Sequence, residues 1–115
     1  MIHRFVILEH DHPFLHWDFL LESGDILTSF RLLAFPQCGV WIDSQPLPDH
    51  RTLYLEYEGK LSGNRGSVKR IQSGRYSMTA SLDEARQQYS LIDCDLGTLA
   101  ICHQSENGSV QWWFE

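Results

Sequence analysis

The sequence has no long apolar run, no surplus of positive charge and no closely paired cysteines. The apolar run at residues 5–8 is too short for a signal-peptide core or a bilayer span, so we expect a cytoplasmic protein with no membrane partner. Cys38, Cys94 and Cys102 are odd in number and lack a C-x-x-C pair, which disfavours a disulfide frame or a zinc cluster. The net charge of −6 disfavours a protein that coats nucleic acid non-specifically.

The composition is that of an ordinary globular domain. The chain has 115 residues, of which 43% are hydrophobic and 21% charged. We find no internal repeat and no linker, so we expect one domain covering residues 1–115, with a monomer as the default state.

Short apolar and alternating segments separated by turn residues predict a mainly β protein. The predicted strands are residues 4–9, 15–22, 26–34, 40–42, 52–58, 68–72, 75–80, 89–92, 98–103 and 110–115. Residues 36–50 otherwise read as a long loop rich in proline, and residues 82–88 as a turn or two of helix after Ser81. Because Trp112 and Phe114 read as a last strand closing onto an apolar interior, we expect a small antiparallel β-barrel with little helix rather than a sandwich.

The spacing H-x5-H-x-D at His10, His16 and Asp18 is a candidate metal site. In a strand, His16 and Asp18 share one face, and two imidazoles with one carboxylate suit Mn²⁺ or another divalent transition metal such as Fe²⁺. The alternative is a set of ordinary hydrogen-bonded residues, since the chain has six histidines. If the metal is bound, Glu9, Asp11 and Glu22 are the candidates to orient the imidazoles.

A second polar block lies at D-H-x-x-x-Y, where His50 and Tyr54 project together from the start of the predicted strand 52–58. Arg31 is the cation on the third predicted strand that can lie near the metal face. The alternative interpretation is that Arg31 is an ordinary exposed charge on a strand. The hairpin loop 61–67 can also cradle an anion through its backbone amides, although a plain hairpin explains its glycines.

The positive charges are unevenly distributed along the chain. Five of the nine Lys and Arg residues fall within residues 60–75, namely Lys60, Arg65, Lys69, Arg70 and Arg75. This segment is either a local basic surface or a solvated hairpin.

Over residues 4–76 the chain resembles the 3′-phosphoesterase domain of bacterial DNA ligase D. The resemblance rests on R-F-V with H-x5-H-x-D and D-F-x-L-E, and on D-H-x-x-x-Y-x-x-x-E-G. It implies a small β-barrel, manganese bound by His10, His16 and Asp18, and phosphate contacts from His50 and Tyr54. It also implies removal of a ribonucleotide or phosphate from nucleic-acid 3′ ends in DNA repair, with a ligase or polymerase as a possible partner.

The chain departs from that family at three places. The family has an arginine that contacts phosphate where this chain has Leu20, and its P-E-G-x-Y-G block is reduced here to S-G-N-R-G-S. The family also has an arm upstream of R-F-V, and here Met1 stands three residues before Arg4, so we expect the polar groups of that arm to be missing. Arg31 or Arg65 is the candidate substitute for the lost charge.

These departures leave three hypotheses open. The first is a Mn²⁺-dependent phosphoesterase using His50, Tyr54 and Arg31 for catalysis. The second is a barrel that keeps its metal but serves as a nucleic-acid or protein binding module. The third is an Fe²⁺ oxygenase, which would take up oxygen in an iron-dependent manner.

Overall fold

Strands rich in β-branched and aromatic residues make up most of the computed structural model, which describes residues 1–115. The nine strands are β1 (His3–His10), β2 (His16–Ser23), β3 (Ile26–Leu32), β4 (Trp41–Arg51), β5 (Gly59–Lys60), β6 (Ser67–Ser81), β7 (Arg86–Ile92), β8 (Leu99–Gln104) and β9 (Val110–Phe114). One short 3₁₀ helix (Thr52–Leu55) follows β4. The structure contains no helix long and apolar enough to cross a lipid bilayer.

Eight of the strands close into an antiparallel barrel, which confirms the predicted fold class. Their order is β1, β2, β3, β4, β9, β8, β7, β6, and β6 pairs back onto β1 from His3↔Tyr76 to His10↔Val68. The two-residue strand β5 pairs only with the start of β6. Closure leaves no free sheet edge around most of the barrel, so backbone pairing itself holds the wall together.

The barrel interior is packed with aromatic rings. Trp112 and Phe114 of β9 are fully buried, as predicted, and Trp112 contacts Phe19 at 4.8 Å and Phe30 at 5.2 Å between ring centroids. Edge-to-face pairs of this kind each contribute about 1 kcal/mol beyond the burial of their surface. This core fixes which face of each strand points inward.

A second, smaller apolar cluster lies outside the barrel wall. Its buried members are Val6, Leu8, Leu20, Leu27, Leu55 and Val68. The 3₁₀ helix contributes Leu55, so this segment covers the outer face of β1, β2 and β3. Strand β2 is therefore buried on both of its faces, and its two buried polar residues, His16 and Asp18, lie on the outward face.

The predicted loop at residues 36–50 is wrong over its second half, which forms β4. Pro46 and Pro48 are tolerated because β4 pairs with β9 only over residues 41–44, so the later part of the strand has β3 as its one neighbour. Pro48 also falls where the register between β3 and β4 shifts. Proline is accepted at such edges and bulges because no ladder hydrogen bond is lost there.

The predicted strand at residues 52–58 is also wrong, because the chain there turns as the 3₁₀ helix. In a strand, alternation would place Leu53, Leu55 and Tyr57 on one face, but in the structure Leu53 and Tyr57 are exposed. Only Leu55 is buried, and the tight turn brings it onto the outer cluster.

Two further expectations along the chain are corrected. The predicted helix at residues 82–88 is a turn into β7, closed by Leu82 N–H donating to the Arg86 carbonyl and Ala85 N–H donating to the Asp83 carboxylate. The predicted break at residues 73–74 is absent, and β6 runs through it. A Cβ at Gly74 would lie 2.6 Å from the Ile92 carbonyl oxygen, so glycine here permits close strand approach rather than a turn.

Candidate active site

The pairing of β1 with β2 brings the three predicted metal ligands together on the outer wall of the barrel. His10 ends β1 and His16 begins β2, and the two residues face each other in register. Asp18 follows on the same face of β2, because alternate residues of a strand point the same way. His16 is 1% exposed and Asp18 4%, so the face that carries them is shielded from water.

The ligand atoms of these side chains converge. His10 Nδ1 lies 3.0 Å from Asp18 Oδ2, and His16 Nε2 lies 3.0 Å from Asp18 Oδ1. One donor atom from each of the three side chains lies within 4.8 Å of the others. This separation is short enough for one cation to contact all three.

Backbone carbonyls fix the orientation of both rings. His16 Nδ1 lies 2.8 Å from the Phe14 carbonyl oxygen, and His10 Nε2 lies 2.8 Å from the Arg65 carbonyl oxygen. A carbonyl only accepts, so each of these nitrogens carries the hydrogen and donates it. The lone pair of each neutral imidazole is then on the other nitrogen, which is the one that faces Asp18.

With both rings neutral, these atoms form a cluster of acceptors with no donor among them. Burial lowers the pKa of His16, which favours its neutral form, and Asp18 Oδ1 is a buried atom with no hydrogen-bond partner. Such an arrangement is unfavourable without a cation or extra protons between the atoms. Imidazole nitrogens held by carbonyls and aimed at a carboxylate fit a divalent transition metal.

Close contact between two loops positions the carbonyl that orients His10. Ser67 donates from its N–H and its hydroxyl to the Asp11 carboxylate, and the Ser67 N–H lowers the pKa of that carboxyl. Gly66, with φ of +77°, allows the approach, since a Cβ there would lie 2.8 Å from His12 Cβ.

The carboxylates expected to orient the imidazoles do not contact them. Asp11 accepts from Ser67, Glu22 accepts from the Arg4 N–H, and Glu9 makes no side-chain hydrogen bond. The short 3.0 Å contacts of the rings are with Asp18, which is itself a candidate ligand. The backbone carbonyls of Phe14 and Arg65 orient the rings instead. A pattern of side chains in the sequence does not indicate backbone groups of this kind.

A single cleft of about 360 Å³ contains all six predicted site residues. His10, His16 and Asp18 form one end, and Arg31, His50 and Tyr54 line the rest. The His50 and Tyr54 rings are 5.8 Å apart, so they project together as predicted, although from the end of β4 and the 3₁₀ helix rather than from one strand.

Three arginines surround the cleft. Arg31 stands opposite Asp18 in the β2–β3 register, and its guanidinium lies 5.2 Å from the centre of the Phe14 ring. Arg65 is held to Ser62 through Nε at 2.7 Å and Nη2 at 3.0 Å. Together with Arg51, these cations outnumber the two lining carboxylates, so the cleft attracts anions although the whole chain is negative.

Sequence reasoning missed Arg51 and Phe14. Arg51 follows His50 directly, and that adjacency was the only signal for it. Phe14 is 49% exposed and lies 5.4 Å from His16 between ring centroids. Exposed phenylalanine beside a polar cluster is visible only once the fold is known.

Leu20 lies on the same face as the ligands but belongs to the outer apolar cluster. It is fully buried and lines a cavity of about 70 Å³ beneath His10 and Asp18. The position where the resemblance places a phosphate-binding arginine is therefore the apolar floor of the site.

The basic segment at residues 60–75 is divided by the fold. Arg70 pairs with Glu58 at 3.7 Å and Arg75 with Asp93 at 2.7 Å, so both are neutralised. Lys60 and Arg65 have no ion-pair partner. Lys69 is also unpaired, so of the three free cations of the segment only Arg65 lines the cleft.

No protein-family model matches the chain, and a search of curated proteins finds no match.

Proposed function

We propose that this protein is a divalent-metal-dependent phosphoesterase that removes a 3′-phosphate or 3′-ribonucleotide from the end of a nucleic-acid strand. The observation that carries the proposal is the convergence of His10 Nδ1 and His16 Nε2 on the Asp18 carboxylate, at 3.0 Å each, beside a cleft with three arginines. Metal-dependent hydrolysis of a phosphate ester uses a metal site joined to an anion site.

His10 Nδ1, His16 Nε2 and an Asp18 oxygen are the atoms that would hold the metal, with Mn²⁺ as our first choice. A divalent cation supplies Lewis-acid polarisation of a phosphoryl oxygen when bound there. The Phe14 and Arg65 carbonyls keep the rings oriented for it.

The arginines would bind and orient the phosphate. Guanidinium groups match the geometry of phosphate oxygens and give charge-assisted hydrogen bonds. Arg65 is already anchored to Ser62, so little freedom is lost when its remaining N–H groups bind an anion. Arg31 and Arg65 thus supply the positive charge that Leu20 does not.

His50 is the candidate proton carrier. Its Nδ1 lies 3.0 Å from the Pro48 carbonyl oxygen and donates to it, which leaves the lone pair on Nε2. Neutral His50 can take a proton at Nε2 from the attacking water as its oxygen bonds to phosphorus, and the ester oxygen that leaves on the opposite side takes its proton from solvent. The Tyr54 hydroxyl is the second candidate donor to the phosphate.

A binding module with little turnover is the second candidate, and the apolar burial of Leu20 favours it. If the leucine floor leaves the phosphate too weakly oriented, the protein would bind metal and nucleic-acid ends without cleaving them. Metal-induced stabilisation with no product from any 3′-end substrate would identify this case.

The test is hydrolysis of DNA strands that end in a 3′-phosphate or a single 3′-ribonucleotide, with and without Mn²⁺. We expect Mn²⁺ to raise the melting temperature and to be required for trimming, and His16→Ala to abolish both effects. His12→Ala is the matched control, because His12 is an exposed histidine of the adjoining loop that does not line the cleft. Trimming by His16→Ala at the parent rate would refute the proposal.

A further inference from the structure

A second groove adjoins the cleft and shares Arg51, Tyr54 and Arg65 with it. Its volume is about 260 Å³, and it continues from the shared residues to Tyr57 and Lys60. A polymeric ligand whose end lies in the cleft can therefore extend directly into this groove.

The groove is lined by cations and by no carboxylate. Arg51, Lys60 and Arg65 line it, and none of the three forms an ion pair. Outside the cleft and the groove, Arg4 pairs with Glu56, Arg70 with Glu58 and Arg75 with Asp93, whereas Lys69 and Arg86 form no ion pair. On a chain of net charge −6, free positive charge gathered in one groove favours a polyanion as its occupant.

Exposed apolar side chains lie beside these cations. Leu53 is 44% exposed and Tyr57 36%, and the Tyr54 and Tyr57 rings meet edge to face at 6.0 Å. The Tyr57 hydroxyl donates to the Lys60 carbonyl, which holds the ring against the strand that carries Lys60. A fixed, exposed aromatic ring next to positive charge is the arrangement that binds single-stranded nucleic acid through base stacking and phosphate contacts.

We propose that this groove is a second subsite that binds the nucleotide preceding the terminal one, with its phosphate on Lys60 and Arg51 and its base on Tyr57. This inference rests on the proposed function, because it assumes that the terminal phosphate lies in the cleft. It makes the preferred substrate a strand of at least two nucleotides rather than a nucleoside monophosphate.

Substrate length tests the subsite. We expect kcat/KM for a dinucleotide with a 3′-phosphate to exceed that for a nucleoside 3′-phosphate by about tenfold or more, because the second base adds a stacking contact with Tyr57. Equal kcat/KM for the two substrates would overturn the inference.

Lys60→Ala isolates the groove from the cleft, because Lys60 lines only the groove. The Tyr57 hydrogen bond is to the backbone of Lys60 and survives the substitution. We expect the variant to lose the part of the advantage that comes from the Lys60 contact with phosphate, and so to show a smaller kcat/KM ratio between the two substrates than the parent, while it keeps the parent kcat/KM on the nucleoside 3′-phosphate. Lys69→Ala, an equal change of charge at an exposed site away from both cavities, should keep the advantage.

A binding measurement tests the subsite independently of whether the protein hydrolyses 3′ ends. The affinity of His16→Ala for a fluorescent single-stranded oligonucleotide is measured against salt concentration, with and without the added Lys60→Ala change. The subsite predicts a slope of log affinity against log salt that is shallower by about 0.7 in the double variant, even if the parent hydrolyses nothing. An unchanged slope, or equally tight binding of inorganic tripolyphosphate, would overturn the subsite whether or not the parent trims 3′ ends.

Discussion

At the scale of single residues, Asp18 determines whether the histidine cluster is a metal site or an ordinary polar cluster. Each Asp18 oxygen lies 3.0 Å from one imidazole nitrogen, either His10 Nδ1 or His16 Nε2. When the rings are neutral, both of these nitrogens are acceptors, because the other nitrogen of each ring donates its hydrogen to a backbone carbonyl. If the rings were instead protonated, Asp18 would form two buried ion pairs. The two descriptions predict opposite effects of removing its charge.

Asp18→Asn is therefore expected to stabilise the metal-free protein and to abolish its response to Mn²⁺. The asparagine amide can donate a hydrogen to His16 Nε2, which replaces a contact between two acceptors with a hydrogen bond of about 1 kcal/mol. The loss of the carboxylate removes the one anionic ligand of the candidate site, which leaves two imidazoles to hold a divalent cation. Urea denaturation and thermal melting, each with and without Mn²⁺, measure the two effects. Destabilisation without metal would show that the histidines are protonated partners of Asp18.

At the scale of secondary-structure elements, the loop between β5 and β6 supplies both an arginine and an orienting carbonyl to the site. Arg65 lines the cleft with its side chain and accepts a hydrogen bond from His10 with its carbonyl. Asp11 accepts hydrogen bonds from Ser67, the first residue of β6, so the end of the loop is fixed against the turn between β1 and β2.

Gly66→Ala is expected to weaken Mn²⁺ affinity by about tenfold, as the loss of groups that orient metal ligands commonly does. A methyl group at residue 66 would collide with the Asp11 carboxylate and with His12 Cβ, and would push the Arg65 carbonyl away from His10. Gly63→Ala is the matched control, because Gly63 has a similar φ of +69° and open space around it. Both variants carry a backbone strain of about 1–3 kcal/mol, so both should melt earlier, but only Gly66→Ala should lose metal affinity by calorimetric titration. Equal affinities in the two variants would contradict the proposed role of the loop.

At the scale of the whole molecule, the barrel wall separates the apolar core inside it from the candidate site on its outer surface. The interior holds Trp112, Tyr89 and Cys102, whereas the candidate site and the apolar cluster beneath it lie outside the wall. Changes in the interior should therefore alter stability before they alter metal binding.

The interior predicts a loss of stability at alkaline pH. Burial raises the pKa of Tyr89 to about 12, and it raises the pKa of Cys102 to about 11, above their ordinary values near 10 and 9. Between the ordinary and the raised values the unfolded chain has lost these protons while the folded chain keeps them. The stability that depends on them is complete below about pH 9 and falls as the pH rises to about 12.

Tyr89→Phe should reduce this alkaline loss, because phenylalanine has no proton to release. Urea denaturation at about pH 8 and about pH 10.5 measures the difference, and Tyr54→Phe, outside the barrel, is the control that should lose stability as the parent does. An alkaline loss in Tyr89→Phe as large as in the parent would exclude Tyr89 as its source.

The strand pattern predicted the barrel because alternation and turn residues act over short distances. It failed at β4 and at the 3₁₀ helix for reasons that depend on neighbours. Pro46 is acceptable in β4 because the pairing of β4 with β9 ends at Ser44. The alternating segment 52–58 does not form a strand, because only Leu55 of its apolar residues packs against the outer apolar cluster.

By itself the sequence determined the β-barrel class and the convergence of His10, His16 and Asp18. A short connection between two antiparallel strands places His10 beside His16, and the period of two places Asp18 on the same face as His16. The tertiary structure alone decided that two carbonyls orient the rings, that Leu20 forms an apolar floor, and that Arg31, Arg51 and Arg65 meet at one cleft. These features join residues that lie far apart along the chain, and their proximity is set by barrel closure and by the packing of the 3₁₀ helix on the outer wall.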